Sequence, residues 1–262
     1  MVSENRAIVI AGHGSPDNPT ANRPVRYHAD AIRQTGLFSE VRGAFWDGTP
    51  TFREAVASLP GSELIVVPLF MSHGYYVDQV LPREFRAACG NPGYRIKSLQ
   101  ITEPVGSHPG IRELVLRRMQ SLLPDKSLWQ QTGLALLGHG TTRNSVSGAS
   151  VRAHARGLRD LGIFRAVKAL FLDELPYIKD IEAHFQIDQV AAVPLFMANG
   201  DHLSEDIPEA LGIPADHNGE AVLPGGTSLF ISGPVGTAQI ITDIILERIS
   251  AVLTPRYGKV AI

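Results

Sequence analysis

Cysteine is nearly absent: Cys89 is the single one in 262 residues. One cysteine excludes an internal disulfide and any multi-cysteine zinc or iron–sulfur site, so metal ligands must come from His, Asp or Glu. Net charge is also small, −2 at pH 7. Without a basic field there is no general affinity for nucleic acid, and without a polybasic surface none for anionic lipid. No apolar run approaches the ~20 residues a membrane helix needs, and Met1 to Arg6 lacks the charged start and apolar core of a secretory leader. The expectation is a cytoplasmic protein that neither crosses a membrane nor binds nucleic acid. What remains is an ordinary globular composition, 44% hydrophobic and 19% charged, in a chain long enough for one large α/β domain or two smaller ones.

The sequence is written twice. AIVIAGHGS from Ala7 answers GLALLGHGT from Gly133, which puts His13 and His139 in matching places 126 residues apart. VPLFM recurs at Val67 and Val193, Gly74 matches Gly200, and Pro82 matches Pro208, all at the same offset. Phe45, Asp47 and Pro50 fall opposite Phe171, Asp173 and Pro176. A last pair, Pro104-Val105-Gly106 and Pro234-Val235-Gly236, is shifted to 130, so about four residues are inserted before it in the second half.

Each half reads as short apolar runs alternating with helical stretches. Ala7–Ala11, Leu64–Leu69, Leu134–Leu137 and Val190–Leu195 suit strands buried on both faces of a parallel sheet. Pro109–Leu123 and Ala238–Leu253 carry apolar residues at helical spacing. The expected fold class is α/β: two duplicated lobes, 1–123 and 133–262, each a doubly wound, mainly parallel sheet flanked by helices, with a cleft between them. Residues 123–132 read as a linker and 212–228, rich in Gly and Pro, as a long loop.

Ligands of open parallel sheets bind beyond the carboxyl ends of the strands, and both Gly-His-Gly turns stand there. Gly138 and Gly140 allow a ligand close to the backbone beside His139. In the second half the segment MANGDHLSEDIP puts His202 at another strand end, and FLDELP places Asp173 and Glu174 after a third. Two histidines and one carboxylate with open positions suit a divalent ion held in passing, Co²⁺, Fe²⁺ or Ni²⁺. Glu205 and Asp206 read more simply as a helix N-terminus.

A Gly-His-Gly strand end followed about 60 residues later by PLF(M)xxGxH…DIP resembles the class II tetrapyrrole chelatases, in particular the CbiX-type sirohydrochlorin cobaltochelatases and related ferrochelatases. The resemblance covers both halves and is to the long form, in which two fused units replace a homodimer. It implies a monomeric enzyme that inserts a divalent metal, as substrate, into a metal-free tetrapyrrole, with no organic cofactor. It carries the two metal-binding histidines to His139 and His202 and the auxiliary acid to Glu174 or, equally well, Asp173. The first half departs from the pattern, since Tyr76 stands where His202 does and His73 lies three residues upstream. Either that half keeps only a substrate-facing wall, with His13, Tyr75 and Tyr76, or His13 and His73 form a shifted site. Arg143, with Arg23 or Arg26, would hold the peripheral carboxylates. A non-catalytic metal or tetrapyrrole carrier would show the same residues. A serine-hydrolase reading fails, because no G-x-S-x-G turn occurs.

Overall fold

The computed structural model describes residues 3–57, 59–60, 62–91, 93–142, 146–198, 202–215, 217, 219–236 and 238–253, the side chains of 3, 4, 202 and 203 excepted. The first half runs β1 (Ser3–Gly12), α1 (Pro19–Gln34), β2 (Phe38–Phe45), α2 (Phe52–Ala57), β3 (Glu63–Pro68), α3 (Leu81–Cys89), β4 (Ser98–Ile101) and α4 (Ile111–Leu122). The second runs β5 (Gly133–Gly138), α5 (Ala149–Arg159), β6 (Ala166–Phe171), α6 (Ile181–Phe185), β7 (Gln189–Pro194), α7 (Ile207–Leu211), β8 (Gly219–Val222), β9 (Ser228–Ile231) and α8 (Ile240–Leu253). Among the described residues the strands form two sheets, ordered β2-β1-β3-β4 and β6-β5-β7-β9-β8. All pairings are parallel except β8 with β9. The duplicated α/β fold expected from the repeat is therefore present.

The repeat survives in detail. β3 and β7 correspond residue for residue at 126, β4 and β9 at 130, and both halves carry a cis X-Pro bond, before Pro50 and Pro176. One expectation needs correction. Residues 212–228 are not one loop, because Gly219–Val222 pairs antiparallel with β9 and adds an edge strand. The linker at 123–132 is itself folded. Lys126–Gln131 forms a 3₁₀ turn, and Trp129 is buried, its indole N–H donating to the Leu123 carbonyl at 2.9 Å and its ring stacked on Phe164. An indole that large anchors the connection wherever an apolar seat is available.

Strand faces explain the layering. Ile8 and Ile10 of β1, with Leu134 and Leu136 of β5, point into one core shared by both halves. Ala7, Val9 and Ala11 face a separate outer core under α2 and α3, and Ala135 and Leu137 face the matching one under α6 and α7. The shared core is closed by exchange of the last helices. α4 of the first half packs on β7, and α8 of the second packs on β3. Ile241, Ile244, Ile245 and Ile249 of α8 are all buried there. The two lobes are thus one folding unit on their inner side.

The strand orders also fix where a ligand can enter. In each sheet the chain steps outward from the first strand to one side, then crosses to the other, so the loops after β1 and β3, and after β5 and β7, diverge. That divergence opens a crevice at the switch point. His13 and the Tyr75-Tyr76 segment flank it in the first half; His139 and the segment of His202 flank it in the second.

Candidate metal and substrate site

His139 follows β5, and its ring is held by the turn it sits in. Its Nδ1 lies 3.0 Å from the Gly140 carbonyl and 3.3 Å from Asp173 Oδ2. Both are acceptors, so Nδ1 carries the proton and the lone pair falls on Nε2, the tautomer a metal ligand needs. Gly140 has φ +71°, and a side chain there would collide with Glu174. The turn therefore requires glycine, both for its backbone angle and for the tight fit beneath it. His13 repeats the pattern, with Nδ1 3.0 Å from the Gly14 carbonyl.

Asp173 and Glu174, equivalent in sequence, part company in space. Asp173 turns toward His139. Glu174 turns under the sheet end, its side chain only 12% exposed, and its Oε1 accepts from Arg152 at 2.9 Å. Arg152 also donates to the Leu175 carbonyl and lies over the Phe171 ring. The sequence reading missed this arginine. A signal was there, because Arg152 is the 126-residue counterpart of Arg26, which donates to the Thr49 carbonyl and lies over Phe45. Position 48 is Gly in the first half, so Glu174 is an addition that neutralises Arg152.

Gly138 is the buried last residue of β5, and a Cβ there would press on Phe171 and Val151. Its smallness serves packing. Arg143 lies outside the described residues. His202 opens the π-helical turn His202–Asp206, counterpart of Tyr76–Val80 at the 126 offset; its side chain lies outside the described residues. Such turns recur at functional sites because the widened backbone re-aims side chains.

A cavity of about 740 Å³ opens beside His139 and Asp173 and extends to Thr141, Tyr177, Lys179 and Ala210. Its size lies within the usual ligand-pocket range of about 300–1,000 Å³. Among the described residues its lining comes from the second half. Lys179 and Tyr177, both missed in sequence, supply a cation and a phenol at its edge.

In the first half His13 meets Tyr76 edge to face, ring centroids 4.6 Å apart, beside Trp46, Phe70 and Tyr75. His73 is committed elsewhere. Its Nδ1 lies 2.6 Å from Asp78 and its Nε2 2.6 Å from Glu103. Partial burial lowers its pKa, but hydrogen bonds and charge from the two carboxylates outweigh this and hold it above the ordinary value. The structure does not bring His13 and His73 into a shared ligand set. Among the described residues no cluster of three or more metal-ligating side chains occurs.

The CbiX family matches residues 7–122 and again 133–252. The chain belongs to this family. A probable sirohydrochlorin cobaltochelatase of Halobacterium salinarum is 37% identical over 263 residues, covering 93% of this chain and 90% of that protein. A sirohydrochlorin cobaltochelatase of Methanococcoides burtonii is 27% identical over 130 residues, 47% of this chain but 98% of that one, so it corresponds to one half. A solved CbiX, described as the terminal enzyme for biosynthesis of siroheme in denitrifying bacteria, superposes with a TM-score of 0.70 at 26% identity and covers 95% of this chain and 100% of its own. This CbiX member is a metal chelatase, as the motifs implied.

Proposed function

We propose that this CbiX chelatase inserts Co²⁺ into sirohydrochlorin, using His139 and His202 to hold the ion. The observation that carries the pair is the contact between rings 13 and 76 in the first half. The equivalent positions 126 residues on both carry histidine, and the π-helical turn that opens at Tyr76 recurs at His202, which supports pairing His139 with His202. Cobalt is favoured over Fe²⁺ and Ni²⁺ because the long relative of 37% identity is named for cobalt. No organic cofactor is invoked.

Asp173 supports the first ligand from behind. A carboxylate at Nδ1 fixes the imidazole tautomer and raises the basicity of Nε2, the usual arrangement around ligating histidines. Insertion must remove two pyrrole protons while the ion exchanges its ligands for ring nitrogens. An imidazole released from the metal is a competent proton acceptor near neutral pH. Glu174 is assigned to Arg152 and the shape of the turn. Lys179, with Arg143, is assigned to the peripheral carboxylates of the substrate. His13 and Tyr76, with Trp46 and Tyr75, form a wall suited to a planar ring, with no ion of its own. The chain works as a monomer, since its two halves supply both sheets.

An anaerobic absorbance assay of metal-free sirohydrochlorin with Co²⁺, Fe²⁺ or Ni²⁺ tests this reading. Rates above the uncatalysed background, highest with Co²⁺, are expected. Binding without acceleration would identify a carrier, and a higher rate with Fe²⁺ would move the enzyme to siroheme formation.

A further inference from the structure

Behind each switch-point crevice lies a clamp. Gly236 donates its N–H to the Phe196 carbonyl at 3.1 Å, and it approaches the Met197 backbone so closely that no Cβ would fit. Gly106 does the same to Phe70, at 2.8 Å, and to Met71. Met197 precedes His202 by the same five residues that separate Met71 from Tyr76. The backbone at Phe196–Met197 and at Phe70–Met71, upstream of each position, is thus held by a glycine of the following turn.

What holds each glycine comes from the other half. His28, on α1 and fully buried, donates Nε2–H to the Gly236 carbonyl at 2.7 Å, while Thr242 Oγ1 donates to its Nδ1 at 2.8 Å. His154, on α5 and buried, donates Nε2–H to the Gly106 carbonyl, also at 2.7 Å. The bonds are twins in length and burial, but their targets differ. One supports the segment of a histidine and the other the segment of a tyrosine.

We infer that His28, a residue of the half without the ion, is a positioning residue for metal binding in the other half, acting through Gly236 on the Phe196–Met197 backbone ahead of His202. The inference rests on the assignment of the ion to His139 and His202. It gives the first half a role in the chemistry that needs no metal site there. A backbone displaced at Met197 carries its error into the ligand geometry, and ligand sets tolerate little error.

The twin provides the control. His28→Met and His154→Met each remove one buried donor at similar volume, and His28→Gln and His154→Gln return an amide N–H. Calorimetry with Co²⁺ alone on the full chain, thermal unfolding, and a kcat against KM split would be measured on all four and on His139→Ala. Both Met variants are expected to lose similar stability. Only His28→Met should weaken Co²⁺ binding, by about tenfold or more, the cost typical of losing an outer-shell partner, with recovery in His28→Gln. Thr242→Val, which removes only the hydroxyl on Nδ1, should give a smaller shift in the same direction, and keeps the test open if His28→Met does not fold. Equal Co²⁺ affinities in the two Met variants, or an indifferent Thr242→Val, would reduce His28 to a structural residue and overturn the inference while leaving the site assignment intact. Undiminished Co²⁺ binding by His139→Ala would overturn the site assignment itself, and the inference with it.

Discussion

Arg118, on the last helix of the first half, donates to the carbonyl of Pro234 in the second at 2.9 Å, and Arg248 returns the bond to Pro104 at 3.0 Å. These paired bonds run beside the exchanged helices α4 and α8, so the two halves are joined by reciprocal contacts as well as by chain.

Separated halves should therefore not be self-sufficient. A fragment ending after residue 123 exposes the face that α8 covers, including the surface opposite Ile8 and Ile10. Expressed alone, each half is expected to be aggregation-prone or to pair with itself; expressed together, the two should reassemble. Size-exclusion chromatography of the co-expressed fragments checks this, and two stable, inert monomers would count against it. Within the intact chain, Ile245→Ala should lower stability by about 2–5 kcal/mol, as large-to-small changes in a closed core do.

The second half should dominate catalysis. His139→Ala and His202→Ala are each expected to lower single-turnover insertion by more than about 100-fold, beyond what loss of an outer-shell partner costs. His13→Ala should cost much less. Tyr76→His would complete the pattern in the first half, and the measured stoichiometry of Co²⁺ should rise from one toward two. Activity that survives His139→Ala but not His13→Ala would reverse the assignment.

Adjacent carboxylates should separate cleanly. Asp173→Asn is expected to weaken Co²⁺ binding about 10–100-fold, because the imidazole loses its orienting charge. Glu174→Gln should instead destabilise the fold by about 1–3 kcal/mol through the partly buried bond to the Arg152 guanidinium, with Co²⁺ affinity nearly unchanged. Isothermal calorimetry and thermal unfolding on the same two proteins decide it.

Acid should loosen the joint between the halves. Burial lowers the pKa of His28 and of His154 below the ordinary 6.5, despite the carbonyl hydrogen bonds that oppose it. The unfolded chain thus binds more protons than the folded one between the lowered values and 6.5, so stability is full above that point and falls as pH drops below it. His108, whose pKa is lowered by burial and by Arg248, adds to the same trend. His73 opposes it, since its raised value contributes stability at low pH that is lost as pH rises through that value. The melting temperature should fall from pH 7.5 to 5.5, and the double variant His28→Gln, His154→Gln should flatten that fall. An unchanged pH slope in the double variant would show that other groups carry it.

Much of this was legible in the residues alone. A repeat kept in register over Gly-His-Gly, FxD and VPLFM specified two copies of one α/β unit, because apolar runs of that length and spacing bury both faces of a parallel strand. It placed His13, His139 and His202 at strand ends, and the departure at Tyr76 showed that the copies had diverged. Local pattern could not say which way neighbouring side chains turn. Asp173 lies against His139, while Glu174 is bonded by Arg152, twenty-two residues away in sequence. Trp129 turned an expected linker into packed structure, since its seat on Phe164 lies in another element. The exchange of α4 and α8, and the reach of His28 to Gly236 across 208 residues, belong to tertiary structure alone. Such contacts arise where two buried faces meet, and a periodicity of two or 3.6 residues records only that a face is buried, never which partner covers it.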